Sequence, residues 1–223
     1  MNIWIIMLLV MVASAIVQAG LQSRFNKYSR VPASLTGAEA ARKMLEENGI
    51  NDVTVTSVGG HLTDFYNPVN KTINLSENVY NTASIAAVAV AAHETGHALQ
   101  HAQGYAPLRL RSAMVPVVNF CNQAVSWVLL LGVIMSEALP NLLWIGIAMF
   151  AMTTLFSLVT LPVEINASRR AIEWLDTSHI TDFETTPMAK DALKWAAYTY
   201  VIAALGSLAT LLYYIGIANS RRD

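Results

Sequence analysis

The stretch Val88-Ala89-Val90-Ala91-Ala92-His93-Glu94-Thr95-Gly96-His97-Ala98-Leu99-Gln100-His101 decides how this chain reads. It lies in an alanine-rich, proline-free run, residues 83–103, that predicts one long helix. Residues four apart share a helix face, so His93 and His97 can offer imidazole nitrogens to one metal ion, with Glu94 beside them. That is the spacing needed when two neutral histidines hold zinc and a glutamate takes a proton from an activated water. In a chain of this composition the pattern arises by chance roughly once in two hundred. A helix this apolar also has little reason to carry three ionisable groups within five positions, since desolvating each costs free energy unless it is paired or metal-bound.

Outward from this helix the chain is unusually apolar. Of its 223 residues 54% are hydrophobic and 13% charged, which points to a membrane rather than to a soluble domain. A net charge of -1 provides no basic field for nucleic acid. The lone Cys121 lies in an apolar run and reads as a small hydrophobe. Residues 3–20, 113–135, 142–161 and 196–218 each approach the length of about 20 apolar residues that a spanning helix needs. The first contains Ala13-Ser14-Ala15, which resembles a signal cleavage site, but it lacks a basic start and is expected to stay as a span. Of the 14 lysines and arginines, all but Arg221 and Arg222 fall in residues 21–112 and 162–195. Those two segments are therefore expected to face the cytoplasm, with the amino terminus and the 136–141 connection outside.

The expected fold is a mainly α membrane protein with about four transmembrane helices and a small α+β cytoplasmic domain. Its order is a span at 1–20, a zincin-like catalytic domain at 21–112, two spans at 113–161, a cytoplasmic segment at 162–195, and a last span and tail at 196–223. Within the domain, Thr36-Gly37-Ala38-Glu39 fits a capping box that opens a helix to about Asn48, closed by Gly49. Alternating valines suggest a strand at 52–58, broken by Gly59-Gly60. Residues 61–66 and 71–75 read as a hairpin around Asn67-Pro68-Val69-Asn70. Residues 71–75 could also serve as an edge strand for an extended substrate. The 162–195 segment should prolong the third span as a helix, before a loop around Thr185-Thr186-Pro187.

A catalytic zinc usually takes a third protein ligand. His101 is one turn past His97, but a continuous helix places it about 6 Å further along the axis, which suits a supporting role better. His179 has no helical frame to position it. Glu164 stands at the end of the third span, on the same expected side as the His93 helix, and is the favoured third ligand. Its alternative role is pairing with Arg169 or Arg170. Ser168, one turn on, is placed to orient the Glu164 carboxylate by donating a hydrogen bond. Tyr66, Tyr105, Arg169 and His179 are candidates to stabilise an oxyanion.

Three blocks, residues 62–80 (LTDFYNPVNKTINLSENVY), 88–101 (VAVAAHETGHALQH) and 162–171 (PVEINASRRA), together resemble the YugP-type membrane zinc peptidases. These are similar in turn to the HtpX and CAAX-prenyl peptidase group. The resemblance runs over nearly the whole chain and departs from the family at Phe65-Tyr66-Asn67 and Asn166. It implies one zinc ion on His93, His97 and Glu164, a gluzincin-like set, with Glu94 as catalytic base. It further implies a hydrolase of the bacterial plasma membrane that cleaves proteins or peptides at the cytoplasmic face, in membrane protein quality control, with room for a regulatory membrane partner or a homo-oligomer. Two rivals stand beside it. Site-2-type cleavage inside the bilayer needs an aspartate within a span, and the expected spans have none. A non-enzymatic scaffold or channel subunit would rest on Asn119, Asn122 and Gln123 instead.

Overall fold

A computed structural model describes residues 3–135 and 138–220; Ser136 and Glu137 of the expected outer connection, and Arg221 and Arg222 of the tail, lie outside the described residues. In chain order the elements are α1 (Ile3–Tyr28), α2 (Gly37–Glu47), β1 (Thr54–Val58), β2 (Phe65–Asn67), β3 (Thr72–Ser76), α3 (Glu77–Tyr80), α4 (Ile85–Ala102), α5 (Ala106–Ile134), α6 (Pro140–Thr177) and α7 (Thr186–Ser220). Four of these, α1, α5, α6 and α7, are long and apolar enough to cross a membrane. The shortest, α1, has 26 residues, about 39 Å of helix against about 30 Å of hydrocarbon.

The chain divides into two compact units. One comprises the described residues of Met1–Ile16, Arg109–Pro162 and Thr199–Asp223, and is an apolar helical assembly. Within it α5 and α6 approach closely at two glycines. A Cβ on Gly132 would lie 2.7 Å from the Leu143 Cα, and one on Gly146 would lie 2.8 Å from the Leu129 side chain. Small residues at such contacts are how helices associate where lipid removes the hydrophobic drive between them. The outward faces are apolar, with Trp4, Leu9, Phe120 and Trp127 all exposed. Water does not tolerate a continuous surface of that kind, whereas lipid does.

The second unit, Val17–Leu108 with Val163–Tyr198, holds the larger core. Thr36 caps α2 through the box read from the sequence, its Oγ1 accepting from the Glu39 amide while Glu39 Oε2 accepts from the Thr36 amide. The apolar face of α2, including Ala40, Ala41 and Met44, packs along α4, whose Ala86, Ala89 and Ala92 have no solvent exposure. Alanine on both helices permits that approach and favours helix in α4. Ser84 caps α4 by accepting from the Ala87 amide.

Two readings of this unit change. The sheet order is β1-β3-β2, with β1 parallel and β2 antiparallel to β3. The strand expected at 71–75 is therefore central, and both its edges are occupied; β1 and β2 are the edges. Alternation with a period of two identifies a half-buried strand but says nothing of its neighbours. The loop expected around Thr185-Thr186-Pro187 is displaced as well, because α6 runs to Thr177 and α7 begins at Thr186. Pro187 sits in the first turn of α7, where a missing amide hydrogen costs nothing and the fixed φ suits the helix.

Candidate metal centre

His93 and His97 lie one turn apart on α4, and Glu164 lies on α6, two residues after the internal Pro162. All three belong to the second unit. The His93 Nε2 is 3.3 Å and the His97 Nε2 3.4 Å from the same oxygen, Oε2 of Glu164. One donor atom from each residue falls within 4.8 Å of the others. The imidazole rings stand edge to face, 4.9 Å between centroids and 81° between planes, so both can aim a lone pair at one point. Glu164 is 2% exposed, a place where a carboxylate persists only beside compensating charge.

Each histidine is held from behind. Ser168 Oγ meets His93 Nδ1 at 3.1 Å. His97 Nδ1 meets Gln100 Oε1 at 3.0 Å. The fully buried Gln100 uses its amide nitrogen on the Val163 carbonyl at 2.8 Å and on Asn166 Oδ1 at 2.9 Å. With both hydrogens committed, its oxygen faces His97, so His97 Nδ1 is the donor and its Nε2 keeps the lone pair that a metal requires. Asn166 Oδ1 also accepts from Arg170 Nε, and Arg170 Nη1 donates to Gln103 Oε1, which fastens α6 to the end of α4. Gln100, Asn166 and Arg170 were not singled out from the sequence as supports. The available signal was Gln100 itself, a full amide three residues after His97 on an otherwise apolar helix.

Gly96 is required by the same contact. A Cβ there would come 2.7 Å from the Ala167 carbonyl oxygen. The glycine therefore lets the backbones of α4 and α6 touch where their ligand-bearing residues meet.

Glu94, 9% exposed, accepts from the Tyr66 amide of β2 at 3.0 Å. Nearby Asp64 accepts from the Ser76 amide and hydroxyl. Burial pushes the Asp64 carboxyl above its ordinary value; the Ser76 hydrogen bonds oppose that and the Glu94 charge adds to it. For His97, burial disfavours the charged form, but hydrogen bonding to Glu164 and the charges of Glu94 and Glu164 outweigh it and raise its pKa above 6.5.

The other sequence candidates lie apart from the His93, His97 and Glu164 cluster. His101 is exposed, and its Nδ1 is 2.8 Å from the Tyr66 hydroxyl. His179 follows α6 on an exposed turn with φ 53°. Arg169 points outward and pairs with Glu173 at 3.7 Å. Tyr105 is half-buried just before α5. Ser168, expected to orient the Glu164 carboxylate, has its Oγ against His93 Nδ1. The donor set of two imidazoles and one carboxylate, with a second carboxylate alongside, fits zinc in a three-ligand site with an open fourth position.

Residues 3–219 match a protein family described as "Putative neutral zinc metallopeptidase". The chain is 45% identical over 208 residues, 92% of either protein, to the "Putative membrane protease YugP" of Bacillus subtilis (strain 168). No solved structure matches.

Proposed function

Because the chain belongs to this zinc metallopeptidase family, we propose that it is a membrane zinc endopeptidase with His93, His97 and Glu164 as ligands of one ion and Glu94 as general base. The observation that carries this is the convergence of the two Nε2 atoms on one Glu164 oxygen, with Glu94 on the same helix. A zinc ion held by these three residues would supply Lewis acidity for the scissile carbonyl and for a water beside Glu94. Glu94 takes that water's proton and returns it to the leaving nitrogen. The Tyr66 amide holds the Glu94 carboxylate in place for both transfers.

The substrate is a protein or peptide. The edge available to an extended chain beside Glu94 is β2, since β3 is paired on both sides. Main-chain pairing along β2 would bring a scissile bond to Glu94 with little demand on side-chain identity, in keeping with a role in membrane protein quality control. The grouping of basic residues supports a cytoplasmic orientation for this unit at the plasma membrane.

Substituting Glu94→Gln tests the reading. Glutamine keeps an acceptor for the Tyr66 amide but cannot take a proton. Cleavage of an unfolded casein substrate by the purified full-length protein is expected to fall about 10²- to 10⁴-fold, with zinc content unchanged. Undiminished cleavage would refute the assignment. A scaffold or channel subunit would show no zinc-dependent cleavage to lose.

A further inference from the structure

A second candidate site lies between α6 and α7, joined to the metal centre through Ser168. Between α6 and α7 the second unit contains a cavity of about 440 Å³, floored by Ile165, Ile172 and Leu193. Arg169, Lys190 and Lys194 stand around it, opposed by one carboxylate, Glu173, which pairs with Arg169. Lys190 and Lys194 are exposed and form no ion pair among the described residues, although Lys194 also lies over the Tyr198 ring. The cavity thus joins an apolar floor to surplus positive charge. Helix geometry sets its depth. Ile165 lies four residues beyond the apolar stretch that ends at Leu161, and Lys194 two residues before the one that begins at Ala196. At about 1.5 Å per residue both are within roughly 6 Å of the ends of the hydrophobic segments, the level of lipid headgroups, whereas Ile172, farther along α6, lies about 16 Å out on the aqueous side.

Ser168 lines this cavity and also meets His93 at Nδ1, whereas His93 presents Nε2 toward Glu164. The cavity therefore reaches the Nδ1 side of the His93 ring, and neither Glu94 nor a residue of β2 lines it. That position argues against a substrate subsite.

We propose that this cavity binds an anionic phospholipid, its phosphate between Lys190 and Lys194 and the start of its acyl chains on Ile165 and Leu193. An apolar pocket with unpaired lysines at headgroup depth is matched in charge and shape by such a lipid, and a zwitterionic lipid leaves the surplus charge uncompensated. The inference rests on α6 and α7 crossing the membrane and is independent of the zinc assignment.

The test uses full-length protein reconstituted in nanodiscs of phosphatidylcholine alone, or of equal parts phosphatidylcholine and phosphatidylglycerol, then re-extracted in mild detergent. Lipid retained per chain is measured by mass spectrometry, and zinc content is measured in the same samples. Wild-type protein is expected to retain phosphatidylglycerol in preference to phosphatidylcholine. The Lys190→Gln/Lys194→Gln variant is expected to retain roughly tenfold less of it, with zinc unchanged. The Lys190→Arg/Lys194→Arg variant should keep the wild-type preference, which separates charge from folding. Equal retention of both lipids by wild type, or undiminished phosphatidylglycerol in the glutamine variant, would overturn the proposal. So would a glutamine variant that keeps its lipid but loses cleavage of acidic peptides, because the cavity would then serve substrate.

Discussion

Gln100 shows how much of the centre depends on a side chain that touches neither metal nor substrate in the proposed reaction. Its two donated hydrogen bonds, to Val163 and Asn166, fix the direction of its oxygen and so the tautomer of His97. Gln100→Leu keeps the volume but frees the imidazole to rotate or change tautomer. Zinc affinity, measured by competition with a chelator, is expected to drop about 10- to 100-fold; an unchanged affinity would show that the amide is only packing. His97 itself sets a pH dependence. In the metal-free protein its raised pKa means that the protonated form stabilises the fold below 6.5, and that this contribution fades as pH rises through the raised value. Zinc needs the neutral ring, so zinc affinity should run the other way, falling as pH drops through that window, with protons released on binding. Calorimetry in buffers of different ionisation enthalpy measures that release, and none near neutral pH would contradict the assigned environment. At this scale the motif residues were legible because their spacing carries chemistry. Gln100 and Asn166 were not, because nothing in the sequence brings them face to face across two helices.

At the scale of elements, the decisive contact is α4 against α6 at Gly96. In an isolated helix, Gly→Ala gains up to about 1 kcal/mol. Here the new methyl meets a backbone carbonyl at 2.7 Å, and overpacking of that kind costs about 1–3 kcal/mol, so the clash wins. Gly96→Ala is expected to lower the unfolding temperature and to lose zinc together, since separating the helices separates Glu164 from the histidines. A stabilised variant with full zinc would refute the close approach. The helices were readable from the sequence, because caps such as Thr36 to Glu39 and long apolar stretches are local signals. The sheet was only partly so. The position of β1 follows from alternation and that of β3 from the turn residues before it, but the placement of β3 at the centre is a long-range fact, and it moves the candidate substrate edge from β3 to β2. The start of α7 was missed because Thr186-Pro187 reads equally as a turn and as a first helical turn.

Over the whole molecule, one unit is an apolar helical assembly and the other carries the candidate centre, whose ligands come from segments far apart in the sequence. An ion held by both segments binds the folded state alone. At a free concentration 100 times its dissociation constant it adds about 2.7 kcal/mol of stability. Chelation should therefore lower the unfolding temperature of wild type in detergent and leave that of a Glu164→Ala variant nearly unmoved. The same pair of proteins allows the most direct measurement, elemental analysis of zinc in full-length protein purified in detergent, with His97→Ala alongside. The expected result is about one zinc per chain in wild type and little in either variant. Equal zinc in all three would contradict the joint site of His93, His97 and Glu164.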